Sequence, residues 1–142
     1  MTANWDRVER LIGSDNLARL KEKRVGVVGL GSGGSFVAVS LAMSGVGKFV
    51  LMSGVGKFVL VDDDVVEPSN IVRHAADRRY LGQTKSEAVA DLIRQRNPQA
   101  EVTARHGRIE THMDVLDNLD LLVVGVDGEG PKYILNEACL KS

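Results

Sequence analysis

Residues Arg24-Val-Gly-Val-Val-Gly-Leu-Gly-Ser-Gly-Gly34 decide how the rest of this chain is read. Val25, Gly26, Val27 and Val28 predict a buried strand, and Gly29, Gly31 and Gly34 follow at the G-x-G-x-x-G spacing before a helical pattern from Phe36 to Leu41. In such a turn Gly29 permits the sharp change of direction, Gly31 lets a phosphate approach the backbone, and Gly34 lets the helix pack close to the strand with its N-terminus facing an anion. The motif alone leaves two readings open, a nucleotide-binding turn or a tight strand-to-helix turn that holds no ligand.

Just downstream, Met43-Ser-Gly-Val-Gly-Lys-Phe-Val-Leu51 recurs without change as Met52-Ser-Gly-Val-Gly-Lys-Phe-Val-Leu60. Solenoid periods are longer and imperfect, so this is an insertion or an error in the recorded sequence rather than an architectural period. In dinucleotide-binding units the acidic residue that takes the ribose hydroxyls lies about 20 residues beyond the glycine loop. Asp62 stands 28 positions beyond Gly34, and leaving out one nine-residue copy restores a spacing of 19. The second copy is therefore expected to supply strand two, Lys57 to Val61, with Asp62 at its end. Were the first copy the strand, Ser53 would hold the acidic position instead. The first copy, with Gly45 and Gly47 in it, is expected to loop out or to form a distorted helix end.

On either side of this unit the pattern alternates. Trp5 to Leu11 and Asn16 to Lys23 predict short helices, the second capped by Ser14 or Asp15. Thr84 to Arg96 carries a capping box, Thr84 with Glu87, and ends at Asn97-Pro98. Val102 to His106 predicts strand three, a short helix runs through Val115 and Leu116, and Leu121 to Val126 predicts a buried strand four. Pro131 at a first helical turn opens a last helix through Leu140. Strands alternating with helices predict an α/β fold, a parallel sheet covered on both faces.

With 142 residues and 44% apolar content the chain is expected to form one domain with a real core. A formal net charge of −1 gives no support for broad nucleic-acid or membrane-surface binding, and the partner is expected to be small. No N-terminal apolar stretch or bilayer-length run is present, and Cys139 is the only cysteine, so neither a disulfide framework nor a C-x-x-C metal pair can form. A cytoplasmic protein is expected.

Read together, Gly29-Leu-Gly-Ser-Gly-Gly34, Ser53-Gly-Val-Gly56, Val61-Asp-Asp-Asp64, Ser69-Asn-Ile-Val-Arg73, Gly82-Gln-Thr-Lys85, Asn97-Pro98, Asp127 and Leu135-Asn136 resemble the ThiF/MoeB/HesA family, the adenylating domain of ubiquitin-activating enzymes. The resemblance covers nearly the whole chain. It implies a Rossmann-like nucleotide-binding domain over 1–142, with the tandem duplication at 43–60, in which the carboxylate of a ubiquitin-like or sulfur-carrier protein attacks the α-phosphate of ATP. It further implies that Gly29, Gly31, Gly33, Gly34 and Asp62 hold the nucleotide, with Asp62 on the ribose. Asn70, Arg73 and Lys85 would contact phosphates, and Asp127 would bind Mg2+. Arg10 resembles an arginine that reaches the phosphates from the partner of a homodimer, with Arg7 a second candidate; each could equally be an exposed helix arginine.

Two positions depart from the family pattern: His74 stands where glutamine is common, and Gly128 stands where asparagine usually follows the aspartate. Cys139 matches a position beside Leu135-Asn136 that in the family is not the reactive cysteine, so a packed, inert thiol is expected. The family continues beyond a length like this with further strands, a segment binding the carrier tail, a reactive cysteine and, in many members, a zinc pair. The sheet is accordingly expected to stop after strand four and the helix that follows. Two other functions compete, an NAD(P)-binding oxidoreductase domain and a non-catalytic partner subunit of the same family. The first leaves Arg73, Lys85 and Asp127 without a task.

Overall fold

The computed structural model describes residues 5–43 and 55–141. Along the chain lie α1 (Asp6–Ile12), α2 (Ser14–Glu22), β1 (Arg24–Val28), α3 (Ser32–Ala42), β2 (Lys57–Asp62), α4 (Lys85–Arg96), β3 (Glu101–His106), β4 (Leu121–Val124) and α5 (Glu129–Lys141). Short 3-10 turns cover Arg78–Tyr80, Ile109–Thr111 and Met113–Leu116. The four strands are parallel in the order β3-β2-β1-β4. Val28 pairs with Val61 on one side and with Val124 on the other, so the carboxyl ends of the three strands finish level.

Side-chain alternation explains why both faces are covered. Val25 and Val27 of β1 and Phe58 and Leu60 of β2 point to one face, where Ala38 and Ala42 of α3 and Val89, Ala90 and Ile93 of α4 bury them. Val28, Val59 and Val61 point to the other, against Ile109, Val115 and Leu135 of α5. Gly26 shares that second face, and a Cβ there would come within 2.5 Å of the Leu119 side chain, which fills the space. A separate small cluster of Trp5, Val8 and Leu17 joins α1 to α2.

The second repeat copy supplies β2, as the loop-to-acid spacing requires, and the strand runs one residue further, to Asp62. The first copy beyond Met43, and Ser53 with it, lies outside the described residues. Three expectations are corrected. The second helix starts at Ser14 with Gly13 as its N-cap and no side-chain cap bond, because Ser14 and Asp15 are already inside it. Strand four stops at Val124, since Gly125 turns back against the glycine loop, and it is not buried: Leu121 is 51% and Val124 39% exposed on an edge strand. Cys139 is exposed rather than packed. The Thr84 cap forms as expected, its hydroxyl accepting from Glu87 N at 3.3 Å.

Candidate functional site

At the carboxyl end of the sheet lies a cavity of about 630 Å³, where ligands of open parallel sheets bind. Its floor is the turn from β1 into α3. Gly29 has φ +86°, a conformation that only glycine adopts without strain, and a Cβ there would meet the Gly125 backbone at 2.5 Å. A Cβ on Gly34 would collide with the carbonyl oxygen of Gly29, and one on Gly125 would approach the same oxygen to 2.6 Å. Three backbones thus meet where only glycine fits. Gly31 and Gly33 are different: a Cβ on either meets no protein atom, because both border the cavity. The start of α3 lines it too, with the unpaired amides of a helix N-terminus.

Asp62 fixes this floor to β2. Its carboxylate, 8% exposed, accepts from Leu30 N at 2.6 Å through Oδ2 and from Asp64 N at 2.8 Å through Oδ1. Gly29 N donates to Val61 O at 2.9 Å beside it. Asp62 therefore braces the glycine loop while also lining the cavity, a second role that strand position alone did not reveal.

Asn70, Arg73 and Lys85 reach the cavity from the segment that follows β2 and from α4. Asn70 Oδ1 accepts from Glu67 N at 3.0 Å, so the group it offers a ligand is its Nδ2 donor. Lys85, 7% exposed, has its Nζ 2.6 Å from Asp64 Oδ2, and its backbone N donates to Asp64 O at 2.9 Å. Asp64, the last of the three aspartates after Val61, thus holds the lysine. Just after Arg73, buried His74 is bonded to Leu30 O at 2.7 Å and accepts from Ala76 N at 2.9 Å. Burial pushes its imidazole below the ordinary histidine value, against the bond to Leu30, which raises it.

Asp127 lines the opposite wall, between Gly125 and Pro131. The cavity thus brings together Gly29, Gly31, Gly33, Asp62, Asn70, Arg73, Lys85 and Asp127. It does not include Gly34, which packs under the loop, or Arg10, which borders a separate depression with Asp6, Glu9 and Ser14. Sequence reasoning also missed Arg108 and Glu110, which line the cavity after β3 and pair with each other at 3.2 Å. Gly107, immediately after the strand, was the available signal.

Residues 6–142 match the ThiF family. The SAMP-activating enzyme E1 of Haloferax volcanii is 34% identical over 133 residues, spanning 90% of this chain and 45% of that protein. The tRNA threonylcarbamoyladenosine dehydratase of Bacillus subtilis is 35% identical over 146 aligned positions, spanning 99% of this chain and 54% of the relative. Among solved structures, the E. coli tRNA N6-threonylcarbamoyladenosine dehydratase TcdA in complex with ATP superimposes with a TM-score of 0.82 at 28% identity, over 96% of this chain and 54% of that one. The chain spans about half the length of these relatives.

Proposed function

The chain belongs to the ThiF family, and on that premise we propose that its cavity binds ATP and presents the α-phosphate to the carboxylate of a ubiquitin-like or sulfur-carrier protein. The observation that carries the reading is the meeting, in one cavity, of the glycine loop, the Asp62 carboxylate, the cations of Arg73 and Lys85 and the Asp127 carboxylate. The ATP complex of a structural neighbour at 28% identity supports the ligand. The activating enzyme among the relatives supports the substrate class.

In this mechanism the glycine loop and the α3 N-terminus receive phosphate oxygens through backbone N–H groups. Arg73 and Lys85 donate without any capacity to accept, so they oppose the charge that builds on the phosphates. A carboxylate oxygen bonds to the α-phosphorus, the α–β bridging bond breaks, and its electron pair leaves with pyrophosphate. Asp64 keeps the Lys85 ammonium at a defined point while this happens. Asp127 is a hard oxygen ligand, and one carboxylate with phosphate oxygens and water is the set that Mg2+ usually takes, so the residue fits that ion. When bound, Mg2+ would neutralise charge on the departing phosphates. Arg10, away from the cavity in this chain, would reach a phosphate from a second copy in a homodimer.

One observation favours a second reading. The relative aligned over 99% of this chain is named for a tRNA-borne group, which would place the same ATP site in front of an RNA substrate. ATP–pyrophosphate exchange separates the two: stimulation by a carrier protein supports the first and stimulation by tRNA the second. Thermal shift tests the nucleotide itself. Mg-ATP is expected to raise the melting temperature, whereas preferential stabilisation by NAD would overturn both in favour of an oxidoreductase.

A further inference from the structure

Leu30 sits between Gly29 and Gly31, and both of its backbone polar groups are tied by side chains from elsewhere. Its N–H goes to Asp62, and its carbonyl is 2.7 Å from His74 Nε2. The hydrogen bonds fix the tautomer of His74: Nδ1 accepts from Ala76 N at 2.9 Å, so the proton is on Nε2, which donates to Leu30 O. Ala75 N donates to Ser35 Oγ of α3 at 3.2 Å. The chain leaving Arg73 is thus fastened to the glycine loop and to α3 at two successive residues. Arg73 itself follows from Asn70, its N donating to Asn70 O at 2.9 Å.

We propose that His74 is a positioning residue, a clamp that sets the Asn70–Arg73 turn against the glycine loop, and that the clamp loosens on its Ala76 side when its imidazole takes a second proton. The proposal rests on the nucleotide reading above. Protonation places an N–H on Nδ1, directly facing the Ala76 N–H, so two donors confront each other and that bond is lost, while Nε2–H goes on donating to Leu30 O. The new charge also lies near Lys85 of α4 and Arg73 of its own turn, which oppose it, while the bond to Leu30 O and the charge of Asp62 of β2 favour it. His74 is 6% exposed, so water cannot replace the lost partner without movement of the turn. Burial holds the imidazole below its ordinary value, so its contribution to stability is complete above that value and is lost as pH falls from there through the folded value.

Two variants separate the clamp from general packing. Glutamine offers a donor and an acceptor from one neutral side chain at every pH, whereas phenylalanine keeps a ring and offers neither. ATP affinity is measured by titration calorimetry from pH 8 to pH 5.5 in the whole chain and in His74→Gln and His74→Phe. The Gln variant is expected to match the original chain at pH 8, and the ratio of the two cancels the titration of ATP itself. On acidification the original chain should lose about two- to five-fold more affinity than the Gln variant by pH 5.5, since an imidazole held below its ordinary value is only partly protonated there. His74→Phe should be weaker by about ten-fold already at pH 8. Identical pH profiles for the original chain and His74→Gln would overturn the clamp. Should ATP fail to bind at all, the nucleotide reading falls, and the clamp is still judged without ligand by the side-chain 15N spectrum of His74. A neutral Nε2–H tautomer at pH 8 supports it, and an Nδ1–H tautomer or an imidazolium overturns it.

Discussion

Across the cavity from each other stand two walls that differ in how many bonds hold them. On the β2 side, Asp62 is bonded to Asp64 and Asp64 to Lys85, while Asp62 and His74 hold the two backbone groups of Leu30, by bonds of 2.6 to 2.8 Å over a core of Val27, Phe58, Leu60 and Val89. On the β4 side, Asp127 follows an edge strand half open to solvent, and α5 leaves Tyr133 and Leu140 68% and 74% exposed. The contrast fits the tasks proposed for the two walls. Cations that must meet phosphates gain from being fixed before the ligand arrives, since preorganised charge needs no rearrangement at the moment of reaction. A carboxylate that shares an ion with phosphate oxygens and water can be completed by them.

The largest expected effect tests whether the fixed wall depends on its glycines for packing or for ligand space. Gly29→Ala and Gly34→Ala press a Cβ into backbone, and each should destabilise the chain by about 3 kcal/mol in a urea titration. Gly33→Ala meets nothing in the protein, so its unfolding midpoint should hold while ATP affinity falls. Equal losses of stability at Gly33 and Gly34 would erase the distinction between floor and packing.

Second in size is Asp62→Ala. It leaves the Leu30 amide without its acceptor, and the expected cost is about 1 to 3 kcal/mol in stability, with about 1.5 to 3 kcal/mol in ATP binding. A loss of binding with no loss of stability would mean that the brace contributes nothing and only the ligand contact counts.

These bonds mark where the sequence stopped being readable. The parallel sheet and the position of β2 followed from a glycine spacing, an acid and alternating apolar residues, because those signals are local and periodic. Asp64 on Lys85 and His74 on Leu30 join residues 21 and 44 positions apart, and no period announces such a pair. The family resemblance supplied Arg73, Lys85 and Asp127 as a set. It was silent on His74, which departs from the pattern, and on Arg108, which no motif contains. Strand four misled for a physical reason: Leu121 to Val126 is apolar enough for a buried strand, but it borders β1 on one side only and Gly125 ends it early.

Asp64→Asn makes a smaller, sharper test. The Asp64 side chain is 64% exposed, so solvent already screens its attraction for Lys85, and the expected stability loss is only about 1 kcal/mol. ATP affinity should fall further than stability does, because the ammonium loses its fixed point. The matching change on the open wall, Asp127→Asn, should leave the unfolding midpoint unchanged and weaken ATP binding only when Mg2+ is present. A clear loss of stability at Asp127 would show that the β4 wall is as fastened as the other.

The smallest expected effect concerns the chain between α3 and β2. Val55 N donates to Leu41 O at 3.3 Å, which sets the start of the segment before β2 beside the end of α3. Val55 then enters the core at 3% exposure. Deleting Met43 to Leu51 would leave three residues to join ends that already touch, and the glycine-to-Asp62 spacing would become 19. Neither cavity wall draws a described bond from the deleted stretch, apart from Met43 N closing the last turn of α3 on Val39 and Ser40 carbonyls, a place that Met52 would take. Closing a shorter loop lowers the entropy cost of folding, and the logarithmic dependence on length gives a gain of about 1 kcal/mol. The expected result is an unfolding midpoint equal to or slightly above that of the original chain, with ATP affinity unchanged. A clear loss of folded protein would mean that the first copy is packed structure, and that the firm wall is held from behind by residues beyond those of α3, β2 and α4.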